Sequence, residues 1–198
     1  MSRHEHTSDA HHHDPTANTI FGFWIYLMTD CIMFATLFAA YAVLHDSTFG
    51  GPTARELFSL PYALAGTVVL LLSSFTCGMA MLAVPRKEKM KTIAWYGVTF
   101  VLGLCFLALI GVEFSRLVES GNGWQRNAFL TSYFTLIGTH ALHIVFGLVF
   151  MALFMVQVFR WGLIEITIRR LSCLKIFWFF SYLIWIFMFA IVYLIGAN

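Results

Sequence analysis

Five long apolar stretches, joined by short polar connections, constrain this chain more than any other feature of its sequence. They cover residues 20–44, 60–84, 92–117, 128–159 and 171–196. Each is long enough to cross the hydrocarbon core of a bilayer, which takes about 20 apolar residues in an α-helix. Only 11% of the 198 residues are charged, against roughly 25% in a soluble domain. The sequence therefore predicts an all-α polytopic membrane protein, a bundle of five transmembrane helices in one domain, residues 20–198.

The positions of the basic residues predict how this bundle is oriented. The N-terminus and the connections on its side of the membrane hold nine of them: Arg3, Arg86, Lys87, Lys89, Lys91, Arg160, Arg169, Arg170 and Lys175. The other side holds three: Arg55, Arg116 and Arg126. Because lysine and arginine accumulate in cytoplasmic loops, we expect the N-terminus in the cytoplasm and the C-terminus outside. Trp24, Trp95, Trp161 and Trp178 fall near the basic side, where an aromatic belt is expected.

Residues 1–19 are polar and contain five histidines but no apolar run. We expect a disordered cytoplasmic tail, not the start of a secretory signal peptide. A histidine-rich tract can hold a metal weakly, although a flexible tail is the favoured interpretation. The four cysteines are scattered without a C-x-x-C pair, so neither a disulfide framework nor a zinc site is expected. The composition also excludes nucleic-acid binding.

Asp30 lies about ten residues into the first stretch. At a rise of ~1.5 Å per residue it is ~15 Å deep, near the membrane midplane. A charged group there costs roughly 2.5–3.5 kcal/mol, so the carboxylate must be satisfied or functional. Two interpretations stay open. One is a proton-handling or water-ordering carboxylate, and the favoured one is a neutral or paired residue that specifies helix packing.

His140 and His143 lie three residues apart on one face of the fourth stretch. Imidazole can ligate haem iron, zinc or copper, but the only other histidine near a span, His45, lies ~18 Å away in depth from His140. We therefore expect interhelical hydrogen bonds and no metal site. Glu113, at the outer end of the third stretch, is expected to face Arg116 or water.

Several segments resemble subunit III of the haem-copper respiratory oxidases, in the five-helix form found in cytochrome o-type ubiquinol oxidases. They are residues 21–30 (FGFWIYLMTD), 50–53 (GGPT), 70–74 (LLLSS), 111–114 (GVEF), 138–143 (GTHALH) and 192–196 (VYLIG). The H-x-L-H segment at His140 is the most specific of these. By this resemblance, Asp30 takes the place of the family's buried carboxylate. The likeness extends from Ile20 to Asn198.

The resemblance implies a chain without a catalytic residue or cofactor of its own, in the bacterial inner membrane. Subunit I, its direct partner, would hold the haems and copper, and subunits II and IV would complete the complex. That complex would oxidise ubiquinol, reduce dioxygen to water and pump protons. This chain would support assembly, bind phospholipid and help to sustain proton uptake by subunit I.

One segment departs from the family pattern. The family usually shows Trp-His-Phe and then an Asp before a Trp, whereas residues 178–185 read WFFSYLIW. Phe179 and Tyr182 replace the usual His and Asp, so no role is carried over to either position.

Three alternatives to the ubiquinol oxidase assignment remain. The first is subunit III of a cytochrome c oxidase, for which we would expect the usual two extra helices before Ile20. The others are a haem-bearing membrane anchor and a small five-helix transporter, although the sequence shows no internal repeat or polar stripe of the kind expected in a transporter.

Two hypotheses follow for the site. Asp30 and either His143 or His140 are expected to meet across two helices near the midplane, with dioxygen or lipid tails in an apolar crevice beside them. Arg160, Arg170 and Lys175 are candidates for binding anionic lipid headgroups at the cytoplasmic surface. Plain positive-inside loop charge is an equally good account of these three cations.

Overall fold

The structure is a computed structural model that describes residues 15–45 and 60–195. Five α-helices lie in this part of the chain: α1 Pro15–Leu44, α2 Leu60–Ala83, α3 Lys89–Glu119, α4 Ala128–Trp161 and α5 Glu165–Met188. A π-helical segment, Phe189–Ile195, continues α5. All five helices are long and apolar enough to cross a membrane, which confirms the predicted five-helix architecture. The histidines of the predicted tail and the GGPT segment lie outside the described residues.

Four of the helices form a closed ring. Helix α2 packs on α3 and α5, and α4 packs on α3 and α5, so each helix of the ring has two neighbours within it. Helix α1 lies outside this ring and packs chiefly on α4 and α5. Its attachment therefore depends on the contacts that α4 and α5 offer, and the predicted site residues Asp30, His140 and His143 lie among these three helices.

Two tryptophans of α5 tie this helix to α2. The indole Nε1 of Trp178 donates to Ser73 Oγ at 2.9 Å, and that of Trp185 donates to Thr67 Oγ1 at 3.0 Å. Seven residues, about two helical turns, separate the tryptophans, so both point the same way. Trp178 is 1% exposed. The prediction that it belongs to an aromatic belt is therefore wrong, because its N–H is satisfied by a buried serine and not at the membrane surface.

Two glycines leave room for the Trp178 ring. A Cβ at Gly103 would lie 2.8 Å from Leu148 and 3.0 Å from the Trp178 ring, and one at Gly147 would lie 2.9 Å from Phe177 and 3.0 Å from Trp178. The distances of 2.8 Å to Leu148 and 2.9 Å to Phe177 are shorter than those that real Cβ atoms show. Small residues at these points let α3 and α4 approach α5 closely, which is how helices associate in a bilayer.

The ends of α4 are well defined. The Asn127 side chain accepts a hydrogen bond from the Leu130 backbone N at 2.8 Å and so caps the first turn. At the other end, Gly162 adopts φ 77°, a conformation that residues with a side chain rarely take. Helix α5 begins at Glu165, so a short connection joins α4 to α5, and the two helices pack on each other.

Candidate functional site

Asp30 and His143 come together between α1 and α4. Asp30 is 7% exposed, and its Oδ2 lies 3.6 Å from His143 Nε2. This distance is slightly longer than a hydrogen bond, and Asp30 Oδ2 has no hydrogen-bond partner. The Tyr26 hydroxyl, one turn earlier on α1, donates a hydrogen bond to the same carboxylate. The structure thus places an acid and an imidazole side by side, with one carboxylate oxygen unsatisfied.

The other ring nitrogen of His143 fixes the chemistry of this pair. His143 Nδ1 lies 2.9 Å from the carbonyl oxygen of Thr139 in its own helix. A carbonyl oxygen only accepts, so Nδ1 carries a hydrogen, and in the neutral ring Nε2 is then an acceptor. The neutral His143 ring therefore offers Nε2 as a hydrogen-bond acceptor on its side toward Asp30.

His140 does not reach Asp30. Its Nε2 lies 3.0 Å from the carbonyl oxygen of Ser181 in α5, and the side chain is fully buried. The rings of Phe34, Phe106 and Trp185 surround it, with centroid distances of 5.4 to 6.4 Å. This histidine joins α4 to α5 inside an aromatic cluster.

An apolar crevice of about 490 Å³ lies beside the Asp30–His143 pair, between α1, α4 and α5. Its walls are mostly phenylalanine, and His143 and Tyr26 are its main polar lining groups. The lining residues are Phe23, Tyr26, His143, Phe146, Phe150, Phe154, Cys173, Leu174 and Phe177. The crevice lies on the half of the bundle that carries the basic loops.

Glu113 belongs to a second polar cluster, at the opposite end of the bundle from the basic loops. The Tyr193 hydroxyl donates to both Glu113 oxygens at 3.2 Å, and the Tyr133 hydroxyl lies 3.0 Å from that of Tyr193. Arg116 acts on Glu113 electrostatically, and its guanidinium lies over the Tyr62 ring. Sequence reasoning missed both tyrosines of the cluster, since an uncharged tyrosine in an apolar stretch gives no signal of its own.

The three predicted lipid-binding cations do not converge on one point. Arg160 is exposed at the end of α4. The Arg170 guanidinium donates to Gln157 Oε1 at 2.7 Å, which links α5 to α4. Lys175 is half-buried and acts electrostatically on Cys77 of α2. These cations form a band around the basic end of the bundle.

Two further cations at this end, Lys89 and Arg169, were not among the predicted lipid-binding residues. Lys89 Nζ donates to the carbonyl oxygen of Phe159 at 2.7 Å and lies 5.3 Å from its ring centroid. Arg169 lies 3.4 Å from Glu165 Oε1. The lysine satisfies a carbonyl in the last turn of α4, a favourable place for a cation.

The two replaced family positions lie on α5. Phe179 is 42% exposed, and its ring is 3.7 Å from the place a Cβ would take at Gly78. Tyr182 is half-buried and packs against the core.

Within the described ranges, no group of three or more His, Cys, Asp or Glu residues is arranged to hold a metal ion.

Comparison with known proteins identifies the family. The family model for cytochrome c oxidase subunit III matches residues 2–197. The chain belongs to this family. Subunit 3 of cytochrome bo(3) ubiquinol oxidase from Pseudomonas aeruginosa is 47% identical over 98% of this chain and 96% of its own length. The corresponding subunit from Pseudomonas putida is 46% identical, over 93% of this chain and 89% of its own.

The subunit III family also includes a more distant relative of a different name. Cytochrome c oxidase subunit 3 from Bacillus sp. PS3 is 36% identical over 90% of this chain and 86% of its own length. This subunit III chain is thus similar to members of both oxidase branches, with higher identity to the two Pseudomonas proteins. The family and its five apolar helices make it a multi-pass membrane subunit of a bacterial haem-copper oxidase.

Proposed function

We propose that this chain is the non-catalytic subunit III of a proton-pumping cytochrome o-type ubiquinol oxidase. The observation that carries the proposal is 47% identity, over nearly the whole of both chains, to subunit 3 of a cytochrome bo(3) ubiquinol oxidase. In this proposal subunit I holds the haems and copper, and subunits II and IV complete the complex. The complex oxidises ubiquinol and reduces dioxygen to water.

The engagement of the two intramembrane histidines supports a chain without redox centres. His140 bonds through Nε2 to Ser181, and His143 bonds through Nδ1 to Thr139, so each imidazole already has one nitrogen committed to a backbone carbonyl. They belong to helix packing within subunit III. The charge distribution supports a cytoplasmic N-terminus and a periplasmic C-terminus, because nine of twelve basic residues fall on the N-terminal side.

The Asp30–His143 pair is the proposed link that keeps α1 on the rest of the subunit. Helix α1 packs chiefly on α4 and α5, and this pair is the acid–imidazole contact in that interface. In this proposal, an attached α1 keeps subunit III intact, and an intact subunit III supports assembly and sustained proton uptake by subunit I.

The band of cations at the basic end is the proposed binding surface for anionic phospholipid headgroups. Arg160 and Arg170 are exposed there, and Lys175 is half-buried one turn beyond Arg170. Cations near the membrane surface attract anionic lipids by about 1 kcal/mol each. The Arg170–Gln157 bond holds one of them in a fixed position between α4 and α5.

A tag on Asn198 tests this function in the native membrane. After gentle solubilisation and pull-down, we expect larger haem-containing partners, a reduced-minus-oxidised haem spectrum and ubiquinol-dependent oxygen uptake. Uptake driven by reduced cytochrome c and not by ubiquinol would assign the complex to the other branch, to which the Bacillus relative belongs by name. A colourless chain without partners would contradict the proposal.

A further inference from the structure

The crevice between α1, α4 and α5 has one polar end and a long apolar remainder. His143, Phe146, Phe150 and Phe154 follow one another at helical spacing along α4, which at ~1.5 Å per residue gives a length of about 16 Å. A volume of about 490 Å³ falls within the range of small-molecule sites, roughly 300–1,000 Å³. An elongated apolar molecule with one polar end therefore fits its shape.

The polar end offers hydrogen bonding that the protein does not use. Asp30 is 7% exposed and does not line the crevice itself, but its Oδ2, 3.6 Å from Nε2 of the lining His143, has no hydrogen-bond partner. Unpaired buried polar atoms are costly, by about 1–3 kcal/mol for each group. Because Nδ1 of His143 carries the hydrogen, Nε2 of the neutral ring can accept a hydrogen bond from a hydroxyl group of a ligand in the crevice.

The walls around this end favour a flat ring. The Phe177 ring lies within 14° of parallel to the His143 ring at a centroid distance of 6.3 Å, and Phe34 meets His143 at 5.1 Å with its plane at 60°. Aromatic groups pack best in such offset or edge-to-face arrangements. A fatty acyl chain would fill the volume, but it has no polar group near its end to satisfy His143 or Asp30.

We propose that this crevice binds a quinol or quinone from the membrane, with the ring against His143 and the isoprenoid tail along Phe146, Phe150 and Phe154. The substrate class rests on the proposed function, and the site is on this subunit itself. A quinol hydroxyl donates to His143 Nε2, and a quinone carbonyl accepts from the same nitrogen when the ring carries a second hydrogen. The site binds and holds the molecule, and no electron transfer takes place there.

Photolabelling of the intact oxidase complex tests the proposal. The probe is an azido-substituted ubiquinone with a ten-carbon tail, and labelled peptides are mapped by mass spectrometry. We expect label on this chain near Phe150 and Phe177, displaced by excess decylubiquinone but not by dioleoylphosphatidylglycerol. Label that is absent from this chain, or that the phospholipid displaces equally well, would overturn the proposal.

Three variants sharpen the test. Cys173→Phe narrows the crevice and should lower the labelling of this chain at least fivefold, whereas Cys105→Phe, on an exposed face of α3 outside the crevice, should leave it unchanged. His143→Leu removes the acceptor and should also lower it at least fivefold, provided that the chain still co-purifies with haem. Unchanged labelling in both crevice variants would overturn the proposal. Ubiquinol oxidase activity of the same preparation tests the proposed function separately.

Discussion

The Tyr193 hydroxyl lies 3.2 Å from both oxygens of Glu113, across 80 residues of sequence. Tyr193 belongs to the π-helical segment that continues α5, and Tyr133 of α4 lies within 3.0 Å of its hydroxyl. Three elements thus meet on one carboxylate at the end of the bundle away from the basic loops. This cluster closes the ring of helices there, as the tryptophans of α5 do further along.

Replacing Tyr193 by Phe should destabilise the subunit. The substitution removes a hydroxyl that donates to a carboxylate, and hydrogen bonds between membrane helices contribute about 1–2 kcal/mol at most. We expect a loss of about 1–2 kcal/mol, seen as a lower midpoint for thermal release of this chain from the purified complex. Tyr182→Phe is the matched control, because no hydrogen bond is seen for that hydroxyl in the described structure. Equal midpoints for the two variants would contradict the argument.

Replacing Gly147 by Ala should push the Phe177 and Trp178 rings of α5 away from α4. Its Cβ would lie 2.9 Å from Phe177, and overpacking of this kind costs about 1–3 kcal/mol. Gly138→Ala on the same helix meets nothing within 4 Å and should be neutral or stabilising. The yield and thermal midpoint of the assembled complex compare the two. A stable Gly147→Ala complex would show that the α4–α5 contact is looser than described.

The sequence predicted the five helices well, because long apolar runs leave a chain few alternatives in a bilayer. It also drew attention to Asp30 and His143, since ionisable residues near the midplane are costly. The Glu113 tyrosines were not predictable, because only the fold brings Tyr133 and Tyr193 to one carboxylate. Trp178 was wrongly predicted to belong to the aromatic belt, because tryptophan occurs both at membrane interfaces and in buried contacts. Its position in the sequence does not distinguish these two environments.

The crevice was anticipated only in outline. Phe146, Phe150 and Phe154 form a stripe on α4 that reads equally well as a lipid-facing surface. This stripe becomes a wall of the crevice because α1 packs outside the helix ring and leaves a gap between itself and α5. The packing of a peripheral helix depends on contacts from distant parts of the chain, which periodicity does not specify.

Replacing Ser73 by Ala should leave the buried indole N–H of Trp178 without an acceptor. An unsatisfied buried donor costs about 1–3 kcal/mol, and we expect a loss in that range. Ser115→Ala removes a serine that bonds only to Gly111 of its own helix, and should change stability little. Thermal release of the chain and near-ultraviolet circular dichroism of its tryptophans give the comparison. An unaltered Ser73→Ala protein would mean that another acceptor replaces the serine.

Substitutions at Asp30 separate hydrogen bonding from charge. The amide N–H of Asp30→Asn can donate to His143 Nε2, which is an acceptor in the neutral ring. Asp30→Leu can make no such bond and leaves His143 facing an apolar group. We expect Asp30→Asn to keep a full complement of this chain in the complex, and Asp30→Leu to lose more than half of it on purification.

Quantitative mass spectrometry of the purified complex gives the ratio of this chain to its haem-containing partner. Thr36→Val is the control on α1, because its hydroxyl is exposed and bonds only to Met33 of the same helix. Normal retention and lipid content in both Asp30 variants would show that α1 is held by apolar packing alone. Loss in both variants would show instead that the carboxylate itself is required, since Asn keeps the size and shape of Asp but cannot carry its charge.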